Sequence, residues 1–264
     1  MTRSISNRCV IDLCEIATPL DRCVVARLGP ISSRILDELG NVYDQAPVLD
    51  DSGRALGIIR TAALRALYEA RRSLVTDEPG IDRTRLEPIT DLAEVLSALA
   101  SRRAALVSES DSTLGLVTIS DLNKHPVRAL LYGVLADLET ALASFIESRC
   151  KDQEEWLPHL SEREQVQILG FWEITRRAGV DTSPLAGCML TDLIGVVTHH
   201  QGLRTALGLA SKNGIGRLTG RLPKLRNKVM HPVRPLVLRP EDAGEIRSTI
   251  GDALALRQLL QDAL

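Results

Sequence analysis

Gly115-Leu116-Val117-Thr118-Ile119-Ser120-Asp121 reads as the end of an apolar strand running into a polar helix start. Working back from it, residues 109–113 form a turn, 104–107 a first short strand, and 91–102 a helix opened by Asp91 with Glu94 three positions later. The same order occurs once before. Residues 31–39 carry helical apolar spacing, Ala46-Pro47-Val48-Leu49 is a strand, and Asp50-Asp51-Ser52-Gly53 is a turn. Residues 55–59, with Gly57-Ile58-Ile59, form the second strand, and 61–72 a helix. One such unit leaves a face of its small sheet bare, so the repeat is expected as a packed pair.

Beyond Pro126 the pattern changes to long helices. Val127, Leu130, Leu131, Val134, Leu135, Leu138, Leu142 and Phe145 recur at three and four, which predicts a linking helix over about 127–148. Ser161 and Glu164 form a capping box before a helix towards Arg177, residues 186–201 suggest another, and Pro240 starts a last one through Ile246, Ile250 and Leu254. The expected fold class is therefore an α+β pair over 1–125 followed by an all-α bundle over 126–264.

Apolar residues make up 44% of the 264 and charged residues 25%, enough for a core and for solubility. Aromatics at 3% argue against reading single-stranded RNA by stacking on ring platforms. The net charge of −2 conceals an asymmetry. Between positions 193 and 240 there are nine Lys or Arg and no Asp or Glu, a candidate polyanion surface. No basic start with a long apolar stretch occupies the first thirty positions, and no unbroken run of about 18 apolar residues occurs, so a cytoplasmic protein with no membrane partner is expected. Cys9, Cys14, Cys23, Cys150 and Cys188 lack paired spacing and are expected as reduced thiols.

The two Gly-apolar-apolar stretches resemble those of a tandem CBS, or Bateman, module, with the second heptapeptide the more specific. The family's second strand ends in Gly-x-x-Thr-x-x-Asp, where Thr and Asp contact the ribose and phosphates of an adenine nucleotide. Repeat two matches with Gly115, Thr118 and Asp121. The chemistry fits: glycine admits close backbone approach, a hydroxyl donates or accepts, and a carboxylate accepts from vicinal ribose hydroxyls. The resemblance implies ATP, ADP or AMP as a regulatory ligand. Repeat one departs from the pattern, with Arg60 in place of Thr and Ala63 in place of Asp. One working site is therefore expected; Arg60 is either a solvated surface cation or reaches a phosphate across the pair.

Inside the acid-free stretch, Arg226-Asn227-Lys228-Val229-Met230-His231 precedes Pro232. It resembles the Arg, four to six residues, His motif of HEPN domains, which often carry a polar residue directly after the Arg, as Asn227 is here. That resemblance implies a homodimer whose paired motifs cut RNA without a metal, leaving a 2′,3′-cyclic phosphate. Helical geometry is compatible, since five residues rise about 7.5 Å and a long Arg spans that. Asn227 stands four before His231 and shares its face, and Pro232 puts His231 at the helix end. RNA cleavage by the 2′-hydroxyl needs a base, an acid and positive charge on the phosphorane. One histidine does not serve both ends at once, which gives the dimer a chemical reason. The expected roles are His231 as general acid or base, Arg226 as phosphorane clamp and Asn227 as orienting group. Arg217, Arg221, Lys224, Lys228 and Arg234 are the expected RNA-binding cations.

Other signals carry less. Adjacent His199 and His200 do not face each other on a helix and have no carboxylate at ligand spacing, so no metal site is expected there. Gly214-Ile215-Gly216 with Gly220 fails the dinucleotide spacing and reads as a loop, and Lys124 and His125 read as a turn before Pro126. Together these features point to a nucleotide-gated endoribonuclease needing no cofactor for catalysis, of the toxin or stress-effector kind. The competing class is a non-catalytic nucleotide sensor whose helical half binds RNA or a protein.

Overall fold

The computed structural model describes residues 9–40, 42–209 and 211–264, so positions 1–8 of the expected first unit lie outside the described residues. The chain divides into two compact units, 1–128 with 235–247, and 129–234 with 248–264. This corrects a single cut after residue 125, because a segment from the helical half, Pro235–Arg247, belongs with the first unit. The physical reason is burial: Leu236 and Val237 are sequestered and need an apolar wall.

The first unit repeats one sheet. Gln45–Leu49 and Ala55–Arg60 pair antiparallel, with Ala26–Arg27 parallel on one edge and Ile81–Asp82 antiparallel on the other. Ala104–Glu109 and Ser112–Thr118 pair in the same way, flanked by Arg85–Leu86 in parallel and Thr18–Pro19 antiparallel. Even the register irregularity recurs, after Val48 in one sheet and after Val107 in the other. The hairpin of repeat two is tighter than the expected turn, since only Ser110 and Asp111 lie between the strands and Ser110 takes φ +51°.

Leu49, Ala55 and Ile58 of the first sheet pack with Ala104, Leu106 and Leu116 of the second, which buries the face that either repeat alone would expose. Arg85 ties the two sheets, donating to Ser108 Oγ at 2.8 Å, to Thr113 Oγ1 at 3.0 Å and to the Ala55 carbonyl at 2.6 Å. Helices Ser33–Leu39 and Thr61–Glu69 cover the first sheet through Leu36, Leu39, Leu64 and Leu67. In repeat two, Leu92–Arg102 is capped by Asp91, which accepts from the Ala93 amide at 2.8 Å. The helix expected after Ser120 is instead a short 3-10 segment, Ile119–Asn123, before the long helix His125–Arg149.

The second unit is helical. Leu131, Leu135, Leu138, Leu142 and Phe145 form the buried stripe of His125–Arg149, as their spacing requires. That helix is by length and composition apolar enough to cross a membrane, and it is the only such helix among the described residues. Its buried stripe is also that of a core helix. Glu162–Arg177 starts at the capping box, Ser161 and Glu164 bonding reciprocally. Residues 186–201 yield a shorter helix, Leu190–His199, because Pro184–Gly187 forms a 3-10 turn first. Gly214-Ile215-Gly216 lies in helix Lys212–Thr219 and not in a loop: Ser211 caps it at the Gly214 amide, and Ile215 supplies the buried contact that offsets the glycines. Pro240–Asp262 is the last helix.

All five cysteines are unpaired thiols. Burial pushes Cys9 up to about 11 and Cys188 up to about 12, so neither is a thiolate near neutrality.

Candidate functional site

The first unit holds two adjoining clefts of about 280 and 340 Å³ that share Tyr43, Asp44, Gln45 and Arg103. Thr118 and Ser120 line the smaller, at the end of the heptapeptide's strand. Arg60, Thr61 and Arg65 line the larger, at the equivalent strand end of repeat one. The wall between them is fixed from within. Thr61 donates through its hydroxyl to the Tyr43 carbonyl at 2.6 Å and through its amide to the Asp44 carbonyl at 2.9 Å.

Thr118 faces the smaller cleft, but Gly115 and Asp121 are occupied otherwise. A Cβ on Gly115 would lie 2.5 Å from the Thr18 carbonyl oxygen, so the glycine admits the edge strand Thr18–Pro19 and not a ligand. Gly57 is its twin, its hypothetical Cβ 2.5 Å from the Asp82 oxygen of the other edge strand. Asp121 is 5% exposed and uses both carboxylate oxygens locally. One accepts from the Thr118 amide at 2.7 Å and the Thr118 hydroxyl at 2.9 Å; the other pairs with Lys124 Nζ at 2.7 Å. Lys124 also reaches the Ile16 carbonyl, so the residue expected in a plain turn locks the strand end. Asp121 therefore positions Thr118 and the 3-10 segment.

The smaller cleft has a further wall that the sequence did not suggest. Leu238 and Pro240, from the returning segment, line it. Asn123 holds that segment through a two-point amide clamp, Nδ2 donating to the Val237 carbonyl at 2.9 Å and Oδ1 accepting from the Val237 amide at 3.0 Å. Asp242, in the first turn of helix Pro240–Asp262, accepts from the Leu238 and Arg239 amides, both at 3.0 Å, and so ties the segment to the helix start. Asn123→Ala is expected to cost about 1–3 kcal/mol, the value of two buried bonds left half-made. Amide exchange at Val237 should lose its protection in that variant, and unchanged protection would show that the clamp is not what holds the segment.

In the second unit, helix Leu222–Met230 buries Leu222, Leu225 and Val229 and leaves Asn227 exposed and Arg226 half-buried. His231 follows as the C-cap with the non-helical angles that the Pro after it favours, φ −111° and ψ 84°, and it is exposed. Two apolar side chains flank it in the open, Met230 at 43% and Val233 at 94% exposure. Of the five cations expected to meet RNA, Arg217 is exposed on helix Lys212–Thr219. Arg221 is held by Asp252 at 2.5 Å, which compensates its charge within the fold. Lys224, Lys228 and Arg234 stand on or just beyond the helix that carries the motif.

His199 and His200 belong to a cluster that includes His159. The rings of His159 and His200 meet edge-on at 4.9 Å, His200 Nδ1 accepts from the Leu203 amide at 3.2 Å, and Lys212 Nζ lies 3.1 Å from His199 Nδ1. No group of three or more His, Cys, Asp or Glu able to hold a metal occurs among the described residues. Burial, followed by the charges of His200, His199 and Arg204, lowers the pKa of His159 below its ordinary value. Between that lowered value and about 6.5 the unfolded chain binds the proton and the folded one does not. Stability is thus present above pH about 6.5 and falls as the pH drops below it. His159→Gln should flatten that fall in urea midpoints measured between pH 7.5 and 5.5; an unaltered slope would remove His159 as its source.

No family model and no curated protein matches the chain. Among solved structures, it is similar to the CBS domain of a bacterial CNNM/CorC family Mg2+ transporter in complex with ATP, at 23% identity over 42% of this chain and 83% of that one, with a TM-score of 0.36. A CBS domain protein from Streptococcus pneumoniae shares 21% identity over 45% of this chain and 87% of its own, with a TM-score of 0.37. CBSX2 in complex with AMP shares 20% over 46% and 96%, with a TM-score of 0.37.

Proposed function

We propose that this chain is a cytoplasmic, adenine-nucleotide-regulated, metal-independent endoribonuclease that works as a homodimer, its first unit a CBS-like sensor and its second a HEPN-like effector. The observation that carries the proposal is the placement of His231: an exposed imidazole at a helix end, one helix with Arg226 and Asn227, within a stretch free of acids. Met230 and Val233 beside it are apolar surface that a second copy would cover while bringing its own motif alongside.

In that dimer one His231, neutral, takes the proton of a ribose 2′-hydroxyl as the oxygen attacks the adjacent phosphorus. The other, protonated, gives its proton to the departing 5′-oxygen. The two Arg226 side chains neutralise the phosphorane between them, and Asn227 orients an imidazole or a phosphate oxygen. The P–O5′ bond breaks, leaving a 2′,3′-cyclic phosphate and a free 5′-hydroxyl. Arg217, Lys224, Lys228 and Arg234 lead the backbone to that point, with a smaller share from Arg221.

Regulation has a short route along the chain, since the cleft wall residue Leu238 follows His231 by seven positions. A ligand with different affinity for two positions of Leu238 biases the segment that begins at His231. The test is cleavage of a labelled RNA pool in EDTA with and without ATP, ADP or AMP. Cutting in EDTA that one nucleotide raises or lowers supports the proposal. Absence of cutting under every condition, with RNA still retained, leaves the non-catalytic sensor as the function.

A further inference from the structure

The larger cleft, at repeat one, departs from the Thr and Asp pattern and is lined by three guanidinium groups from three separate elements. Arg60 ends strand Ala55–Arg60, Arg65 stands on helix Thr61–Glu69, and Arg103 is the C-cap of helix Leu92–Arg102. We propose that this cleft reads the β- and γ-phosphates of a nucleotide whose sugar end lies by Thr118 and Ser120, so that the unit selects di- and triphosphates over a monophosphate. The inference rests on the reading above that a nucleotide occupies the first unit, and it names which class.

Charge is the first argument. Arg60, Arg65 and Arg103 make no ion pair and no side-chain hydrogen bond among the described residues, and Asp44 is the sole carboxylate lining the cleft. Four other arginines of the unit are paired with carboxylates: Arg34 with Glu38, Arg54 with Asp111, Arg72 with Glu78 and Arg102 with Asp82. Three fixed positive charges against one negative, on concave surface, attract a ligand with several negative charges. Planar guanidinium donors suit phosphate oxygens in particular.

Backbone geometry is the second. Arg103 takes φ +71°, a left-handed cap position at which glycine is the inexpensive occupant, and its amide already bonds the Leu99 carbonyl. From this position Arg103 lines both clefts and so stands between the sugar end and the phosphate end. The combined space, with Tyr43, Asp44 and Gln45 common to both parts, is in the range of pockets that hold a nucleotide-sized ligand.

Calorimetric titration of the full chain with AMP, ADP and ATP at 0.15 M salt in EDTA tests this. ATP is expected to bind at least about tenfold tighter than AMP, with ADP between, and inorganic tripolyphosphate is expected to displace ATP. In Arg60→Gln/Arg65→Gln the ATP to AMP ratio should fall to within about twofold. Arg54→Gln/Arg72→Gln, which removes two charges outside the cleft, should keep the ratio of the wild type, and thermal midpoints establish that each variant folds. Equal affinity for AMP and ATP, or a preference that survives in the double variant, overturns the inference while leaving the nucleotide site standing. Failure of all three nucleotides to bind overturns the underlying reading and the inference with it.

Discussion

Replacing His231 with alanine is expected to reduce metal-independent RNA cleavage by about 10²–10⁴-fold, the usual contribution of a positioned acid or base. The loss should come without loss of stability, since His231 is exposed and among the described residues only its backbone carbonyl is engaged, accepting from the Arg234 amide at 3.0 Å. Arg226→Ala should cost about 10²–10³-fold, in the range of a lost electrostatic stabiliser. Asn227→Ala should cost less than either. The proposed mechanism takes one imidazole as base and the other as acid, so a mixed dimer with a single His231 should be inactive. After subunit exchange with His231→Ala protein, activity should therefore fall with the square of the wild-type fraction. A linear fall would mean that one protomer holds a complete site; full activity in His231→Ala would remove the motif from catalysis altogether.

The largest effect on stability is expected from Gly115→Ala. Its new methyl would meet the Thr18 carbonyl oxygen at 2.5 Å, and that oxygen belongs to the edge strand, where Pro19 pairs with Gly115 and Thr18 with Leu116, so neither side has a flexible end to yield. The expected cost is about 2–3 kcal/mol, the range for overfilling a packed interior. Gly57→Ala should match it, because the same clash recurs there with the Asp82 oxygen. Gly133 provides the opposite case: exposed on a helix with open space where a Cβ would go, its change to alanine should stabilise by about 0.5–1 kcal/mol. Urea midpoints of the three variants check this, and a mild Gly115→Ala would mean that the edge strand is held elsewhere.

The repeat was legible because periodicity and turn chemistry are local. Strands around Val48, Ile58, Leu106 and Leu116, the turn at Asp50 and the capping box at Ser161 all sit where neighbours along the chain dictate them. The edge strands were not legible, since Ala26–Arg27, Ile81–Asp82, Arg85–Leu86 and Thr18–Pro19 are two residues each, too short for any period to register. The role of Asp121 was half legible. Its spacing from Thr118 fits a ligand pair and a cap equally, and the cap with Lys124 as a partner becomes visible only in the fold. The Asn123 clamp was out of reach, because its partner lies 114 positions away and nothing in a lone Asn marks it. Likewise nothing along the chain links Arg65 and Arg103 to Arg60, which the fold brings to one cleft.

The return of Pro235–Arg247 to the first unit has a consequence for how the protein is made. On the ribosome the paired sheets can form as soon as residue 118 has emerged, but Leu238 and Pro240 arrive only after the whole helical stretch before them has been translated. During that interval the smaller cleft has no finished wall, while Arg226 and His231 emerge before the wall is complete. The nascent protein thus gains the proposed motif and the last wall of the cleft within a few residues of each other. A shortened chain ending at residue 234 would carry the motif with Leu238 and Pro240 of the cleft missing.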